Sequence, residues 1–321
     1  MSWFYILIFL ISCLFIYFAG EMVIECLARI ARFLGWKEFV VAFIIMAFAA
    51  SLPNLFVGIF SAMKGKPQLS LGDVLGGNVV DLTLAIGLAV LFSKAGISAE
   101  SRTVQTTSLF TIGSAILYLL LISDGILSRA DGIILILFFI FYFFWLFSKR
   151  ERFTKVFDKY HVPVSKKFKD FIKDLGKVIL GILLLILAAE GIVRSAIFFS
   201  ENLKIPLTLI GIFIVGVGNA LPETYFGIIS ARRGEGWLIL GDLMGSVIII
   251  ATLVLGIVAL ICPIEVKVAE IPAFTIARIF LIISALFFFL AVKTDRKITK
   301  KEALILLSVY LLFLIIEILL K

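Results

Sequence analysis

Apolar residues run in blocks of about 20, separated by short polar breaks, along the whole chain. The blocks predict ten membrane-spanning helices, over 3–32, 37–63, 70–93, 104–123, 130–148, 172–200, 205–231, 236–262, 270–292 and 302–320. The first and sixth are long and charged near their far ends, which predicts strong tilt or protrusion. The first block begins at Trp3 without a basic leader or a cleavage site, so it reads as a spanning helix and not as a removed signal. The expected fold class is an all-α integral membrane protein. Composition agrees: 62% of the 321 residues are hydrophobic and only 16% charged. A soluble domain is about half apolar and a quarter charged, so a soluble enzyme is excluded.

One polar connection interrupts the pattern. Residues 149–171 are basic (Lys149, Arg150, Arg152, Lys155, Lys159, Lys166, Lys167, Lys169) and divide five spans from five. The expected organisation is a first five-helix unit over 1–148, this linker, and a second unit over 172–321. The linker holds the single histidine, His161, which reads as a solvated loop residue. Much of the net charge of +8 sits there. With no basic soluble domain, that charge reports topology rather than nucleic-acid binding. Basic residues crowd the loops of one face (Arg29, Arg32, Lys37; Lys94, Arg102; the linker; Arg232, Arg233; Lys293 to Lys301). Both termini are therefore expected outside and the linker in the cytoplasm, where it also suits lipid headgroups. Cys13, Cys26 and Cys262 have no paired spacing and read as small core residues.

The halves match at a constant offset of 169 residues. Leu52-Pro53 aligns with Leu221-Pro222, Lys64-Gly65 with Arg233-Gly234, Leu71-Gly72-Asp73 with Leu240-Gly241-Asp242, and Gly76 with Gly245. Thr83-Leu84 aligns with Thr252-Leu253, and Glu21 with Glu190. Leucine coincidences are cheap in such a chain, but Pro, Gly and Asp in one register are not. Five spans per unit means the second copy enters the membrane from the opposite side. Two inverted-topology repeats of this kind point to a secondary transporter with its site near the midplane.

Polar residues inside spans are costly, so each needs a reason. Pro53 and Pro222 remove a backbone donor, which predicts helix breaks and freed carbonyls over Ala47–Ala50 and Gly216–Asn219, with those near Ala47 and Gly216 as cation ligands. Freed carbonyls suit a hard cation. Asn54 and Glu223 follow the prolines directly, and Ser51 and Asn219 precede them. On the next span of each half, Gly72 and Gly76, and Gly241 and Gly245, have the spacing of close helix contacts. Asp81 lies about 12 Å beyond Asp73 along a helix, which predicts Asp81 near the middle and Asp73 and Asp242 nearer the surface. For Asp73 and Asp242, helix-start capping or a charge on an ion path is at least as good a reading as ion ligation. Glu223 and Asp81 are the deep carboxylates, able with Asn and Ser oxygens (Ser51, Ser246) to hold a metal cation, or to carry protons. Glu21 and Glu190 are candidates for an ion route. Glu190 also has Arg194 one turn on for a local pair.

These motifs resemble the calcium/cation antiporter superfamily, which includes the sodium/calcium exchangers. Its members carry Gly-Thr-Ser-Leu-Pro-Glu followed by Gly-Asn-x-x-Gly-Ser-Asn in two inverted repeats. Here the marks are Ser51-Leu52-Pro53-Asn54 with Gly72-Asp73-x-x-Gly76-Gly77-Asn78, and Leu221-Pro222-Glu223 with Gly241-Asp242-x-x-Gly245-Ser246. The resemblance implies a non-enzymatic antiporter of inorganic cations, Ca2+ against H+ or Na+, with no bound cofactor. Departures bear on the ions. The family's first-repeat Glu is Asn54, and the mate of Asp81 is the apolar Ile250. Family hydroxyls fall on Ala50, Asn219, Ala220 and Gly77, leaving Ser51 and Ser246, which argues against three Na+ per cycle. Open alternatives are exchange of a monovalent or another divalent cation, and a non-transporting regulatory relative. A channel is disfavoured by the inverted repeat. A membrane enzyme lacks any span with a His-based metal motif or a Ser/His pair.

Overall fold

In a bilayer, an apolar segment must satisfy its own backbone, and a helix does so within one segment. The computed structural model describes residues 2–33, 46–148, 168–234, 236–294 and 296–319. Ten helices among them are long and apolar enough to cross a membrane. They are α1 (Ser2–Phe33), α2 (Met46–Met63), α3 (Gln68–Phe92), α4 (Arg102–Leu121), α5 (Arg129–Ser148), α6 (Phe168–Leu203), α7 (Leu207–Arg232), α8 (Leu238–Ile261), α9 (Ile271–Thr294) and α10 (Lys300–Leu319). The expected spans hold to within a few residues wherever they are described. Positions 37–45 of the second span, and 149–167 of the linker with His161, lie outside the described residues. The last linker positions, 168–171, already belong to α6.

The centre is made by α3 and α8, whose apolar windows are 83% and 78% buried, against 22% for α5. Trp3, Leu7, Leu137 and Phe144 are exposed on the outer helices, as a lipid-facing surface requires. Helix α3 crosses the first half of α7 backbone to backbone. A Cβ on Gly72 would stand 2.1 Å from the Thr208 carbonyl oxygen, and one on Gly76 would stand 2.3 Å from that of Ile212. From the other side, a Cβ on Gly216 would meet the Gly77 nitrogen at 2.7 Å. Only glycine permits this approach.

The repeat is visible in the backbone. Both α3 and α8 contain a single π-helical stretch, Asp81–Ala85 and Ile250–Val254, in matching register. Thr83 and Thr252 donate side-chain hydrogen bonds to the carbonyls of Val79 and Ile248 at these stretches. Four short strands stitch the halves together: β1 (Ile97–Ser98) pairs with β4 (Lys297–Ile298), and β2 (Ile126–Leu127) with β3 (Ile264–Glu265). Helix α4 separates β1 from β2, so the two pairs lie at opposite ends of the bundle.

The prolines act unequally. Helix α2 is interrupted at Ser51, just before Pro53, whereas Pro222 sits inside an unbroken α7 segment, Val217–Arg232. The Ala47 carbonyl is not free: it accepts the Ser51 N–H at 3.1 Å and the Ser51 hydroxyl at 2.8 Å. A proline removes the donor to the carbonyl four residues back, so the carbonyls it deprives are those of Ala49 and Gly218, not Ala47 and Gly216.

The glycine crossing gives a paired prediction. Gly76→Ala drives a methyl group into the Ile212 backbone and should cost about 1–3 kcal/mol of stability. Gly77→Ala, whose nearest neighbour is the Ile250 Cδ1 at 3.7 Å, should be tolerated. Thermal unfolding of the detergent-solubilised protein reads both, with a clear fall in Tm expected for the first alone.

Candidate functional site

Four helices, the repeat mates α2 with α7 and α3 with α8, bring the buried polar side chains together. Asp73 on α3 is fully buried within the protein. It sits beyond the first turn of α3 and caps nothing. Asn54 of α2 donates its Nδ2 to Asp73 Oδ2 at 3.1 Å and Oδ1 at 3.2 Å. Asn219 of α7 donates its Nδ2 to Asp73 Oδ1 at 3.0 Å. One carboxylate thus ties an amide from each repeat. A carboxylate only accepts, so each amide must turn its NH2 toward Asp73 and its Oδ1 away.

A second group adjoins it. Ser246 of α8 donates its hydroxyl to Glu223 Oε1 at 2.9 Å. The Asp81 carboxyl group lies within hydrogen-bonding reach of Glu223. Yet Asp81 Oδ1 and Glu223 Oε2 are buried with no partner. Asp242, also buried, is within electrostatic reach of Glu223 and Asp81. Four carboxyl groups therefore share the core. The ion pairs among the described residues lie elsewhere, at Arg29, Lys64, Lys66 and Arg194. No three Asp, Glu, His or Cys side chains among the described residues converge on one point as a metal cage does.

The other sequence candidates are placed differently. Glu190 is held by Lys64 Nζ at 2.7 Å and Arg194 Nε at 2.6 Å, away from the buried group. Glu21 is exposed on α1. Ser51 is buried and spends its hydroxyl proton on Ala47, so its oxygen keeps lone pairs to offer. Gly216 packs its backbone against Gly77. Sequence reasoning missed the π-helical stretch that begins at Asp81. Its visible signal is the threonine two residues on, repeated at Thr252. Such irregular turns are frequent at functional sites.

A family model for sodium/calcium exchanger proteins matches residues 4–148 and 174–319. The chain belongs to the sodium/calcium exchanger family. Among curated relatives of this exchanger, the sodium/calcium exchanger MaX1 of Methanosarcina acetivorans is 27% identical, with 97% of each chain covered. The inner membrane protein YrbG of Escherichia coli is 24% identical over 80% of each. A solved structure of the sodium-calcium exchanger NCX_Mj, soaked with 2.5 mM Na+ and 10 mM Sr2+, superposes with a TM-score of 0.67 at 23% identity. It covers 98% of this exchanger and 99% of its own chain. The ten-helix exchanger fold and membership of a cation-antiporter family follow, and relatives of this kind are transporters rather than enzymes.

The Asp73 junction is open to test. Asp73→Leu leaves two buried amides without an acceptor, at about 1–3 kcal/mol each. Asp73→Asn keeps one acceptor oxygen and should lose less. Thermal unfolding should rank the variants wild type, Asn, Leu.

Proposed function

We propose that this exchanger moves Ca2+ against H+ or Na+ by alternating access, with Glu223 and Asp81 holding the transported cation near the midplane. One observation carries the reading: two buried carboxyl groups within reach of each other, whose Asp81 Oδ1 and Glu223 Oε2 accept from no donor outside the pair. Such a pair cannot stay doubly charged in a dry interior without a bound cation or protons. Asn54 and Asn219, with their NH2 groups committed to Asp73, offer carbonyl oxygens. Ser51 and Ser246 offer hydroxyl oxygens. Oxygen donors of mixed charge are what Ca2+ takes.

The names of the relatives support the choice of ions. MaX1 is a sodium/calcium exchanger, and NCX_Mj was soaked with Na+, Sr2+ and Ca2+ in different crystals. The charges of Asp81 and Glu223 together would balance one divalent ion or two monovalent ones, which favours electroneutral exchange. The crowding of basic residues on one face supports both termini outside and the 149–171 linker in the cytoplasm, beside lipid headgroups. A second reading, exchange of a monovalent cation for protons, has its own support. The first repeat lacks a carboxylate at Asn54, and Ile250 leaves Asp81 without an acidic mate.

Uptake of radiolabelled Ca2+ into proteoliposomes under imposed pH and Na+ gradients tests both. Ca2+ uptake driven by either gradient is expected, and Glu223→Gln should abolish it without unfolding the protein. Flux of a monovalent cation without Ca2+ flux would select the second reading. Ser246→Ala removes a hydrogen bond to a charged group, so the apparent cation affinity should weaken about tenfold.

A further inference from the structure

Lys64 and Arg233 are repeat mates with the same local frame. Each closes its helix, α2 or α7, with matching backbone hydrogen bonds: Lys64 to Phe60 and Gly65 to Ala62, Arg233 to Ile229 and Gly234 to Ala231. Each is followed by a glycine in the left-handed region, Gly65 at φ 66° and Gly234 at φ 81°. Glu190 and Glu21 are likewise mates, on α6 and α1. The repeat therefore supplies two equivalent cation–carboxylate pairs, one at each end of the bundle.

Only one pair is made. Lys64 Nζ lies 2.7 Å from Glu190 Oε1. Glu21 and Arg233 are both exposed, and among the described residues neither takes part in an ion pair. Helix α1, which carries Glu21, nevertheless packs against the Val217–Arg232 segment of α7. Tyr17 lies one turn before Glu21 on α1, and Tyr225 lies on that α7 segment. Tyr225 lies about two helical turns before Arg233.

The carriers of the two glutamates are bound to each other. A Cβ on Gly181 of α6 would collide with Val23 of α1, and one on Gly191 with Ser12. Arg29 of α1 grips Asp174 of α6 through Nε at 3.0 Å and Nη2 at 2.9 Å. These contacts bind α1 to α6, so a displacement of one against α2 and α7 would carry the other. A slide that draws Glu21 toward Arg233 draws Glu190 away from Lys64. In an inverted repeat, the two access states are related by exchanging the conformations of the halves. A contact that one half makes in one state, its mate makes in the other.

We propose that Lys64–Glu190 and Arg233–Glu21 are reciprocal latches, the first closed in the present conformation and the second in the conformation of opposite access. These four side chains position the α1–α6 pair and set the balance between the two states. The inference rests on the alternating-access reading above.

Crosslinking in the full-length protein tests it. With Cys13, Cys26 and Cys262 replaced by alanine, the pair Glu21→Cys and Arg233→Cys should crosslink with a short bifunctional thiol reagent and stop ion uptake. Adding Lys64→Gln opens the first latch and should speed that crosslink about fivefold, the population change one part-buried ion pair is worth. Lys64→Arg, which keeps the latch, should leave the rate unchanged. A crosslink that never forms, or one whose rate ignores Lys64→Gln, would overturn the proposal. Ion uptake without that response removes the latch alone. The response without gradient-coupled uptake keeps the latch and removes the antiport reading.

Discussion

The approach of α3 to the first half of α7, backbone on backbone, is the constraint on which the site depends. Gly72, Gly76, Gly211 and Gly216 carry no side chains to hold the helices apart. The contact brings Asp73, on one repeat, within reach of Asn219, on the other. Any larger residue at the crossing would move the two halves of the polar cluster relative to each other. Apolar packing alone gives little direction in a bilayer, where lipid is as greasy as leucine. Close van der Waals contact and a few buried hydrogen bonds do the specifying.

Within that frame the charges divide into two kinds. Asp73 is compensated inside the protein, by amide donors from both repeats. Asp81 and Glu223 are not compensated, and each leaves an oxygen bare. The repeat makes the contrast sharper. Asn54 and Glu223 are mates, yet one donates to a carboxylate and the other is a carboxylate that accepts from Ser246. The two halves share a backbone plan but have divided the electrostatic work unequally.

Much of the fold was legible in the sequence. Spans, their number and the inverted repeat follow from apolar blocks and from Pro, Gly and Asp in one register, because the bilayer leaves so few alternatives. The polar residues Glu223, Asp81, Asn54 and Asn219 were legible as costly exceptions, and all four are buried. The partners of Asp73 were not legible. Distance along a helix says nothing about which residues of another helix reach across at that level, and Asn54 and Asn219 do. Nor was the pairing of Glu190 with Lys64, since the two are far apart in sequence and meet only when α6 packs on α2. The unequal effect of Pro53 and Pro222 was hidden for a similar reason: a shared residue does not fix whether its neighbours hold the helix together.

The small strand pairs have a consequence for how such a chain could arise. Under the repeat, β1 corresponds to β3 and β2 to β4, so each pair joins one strand of each kind drawn from different halves. A lone five-helix half would leave both its strands with bare edges. Two identical halves, inserted in opposite orientations, would satisfy all of them, first with second at one face and second with first at the other. The strand pairing of the present chain is thus that of an antiparallel homodimer, written into a single polypeptide.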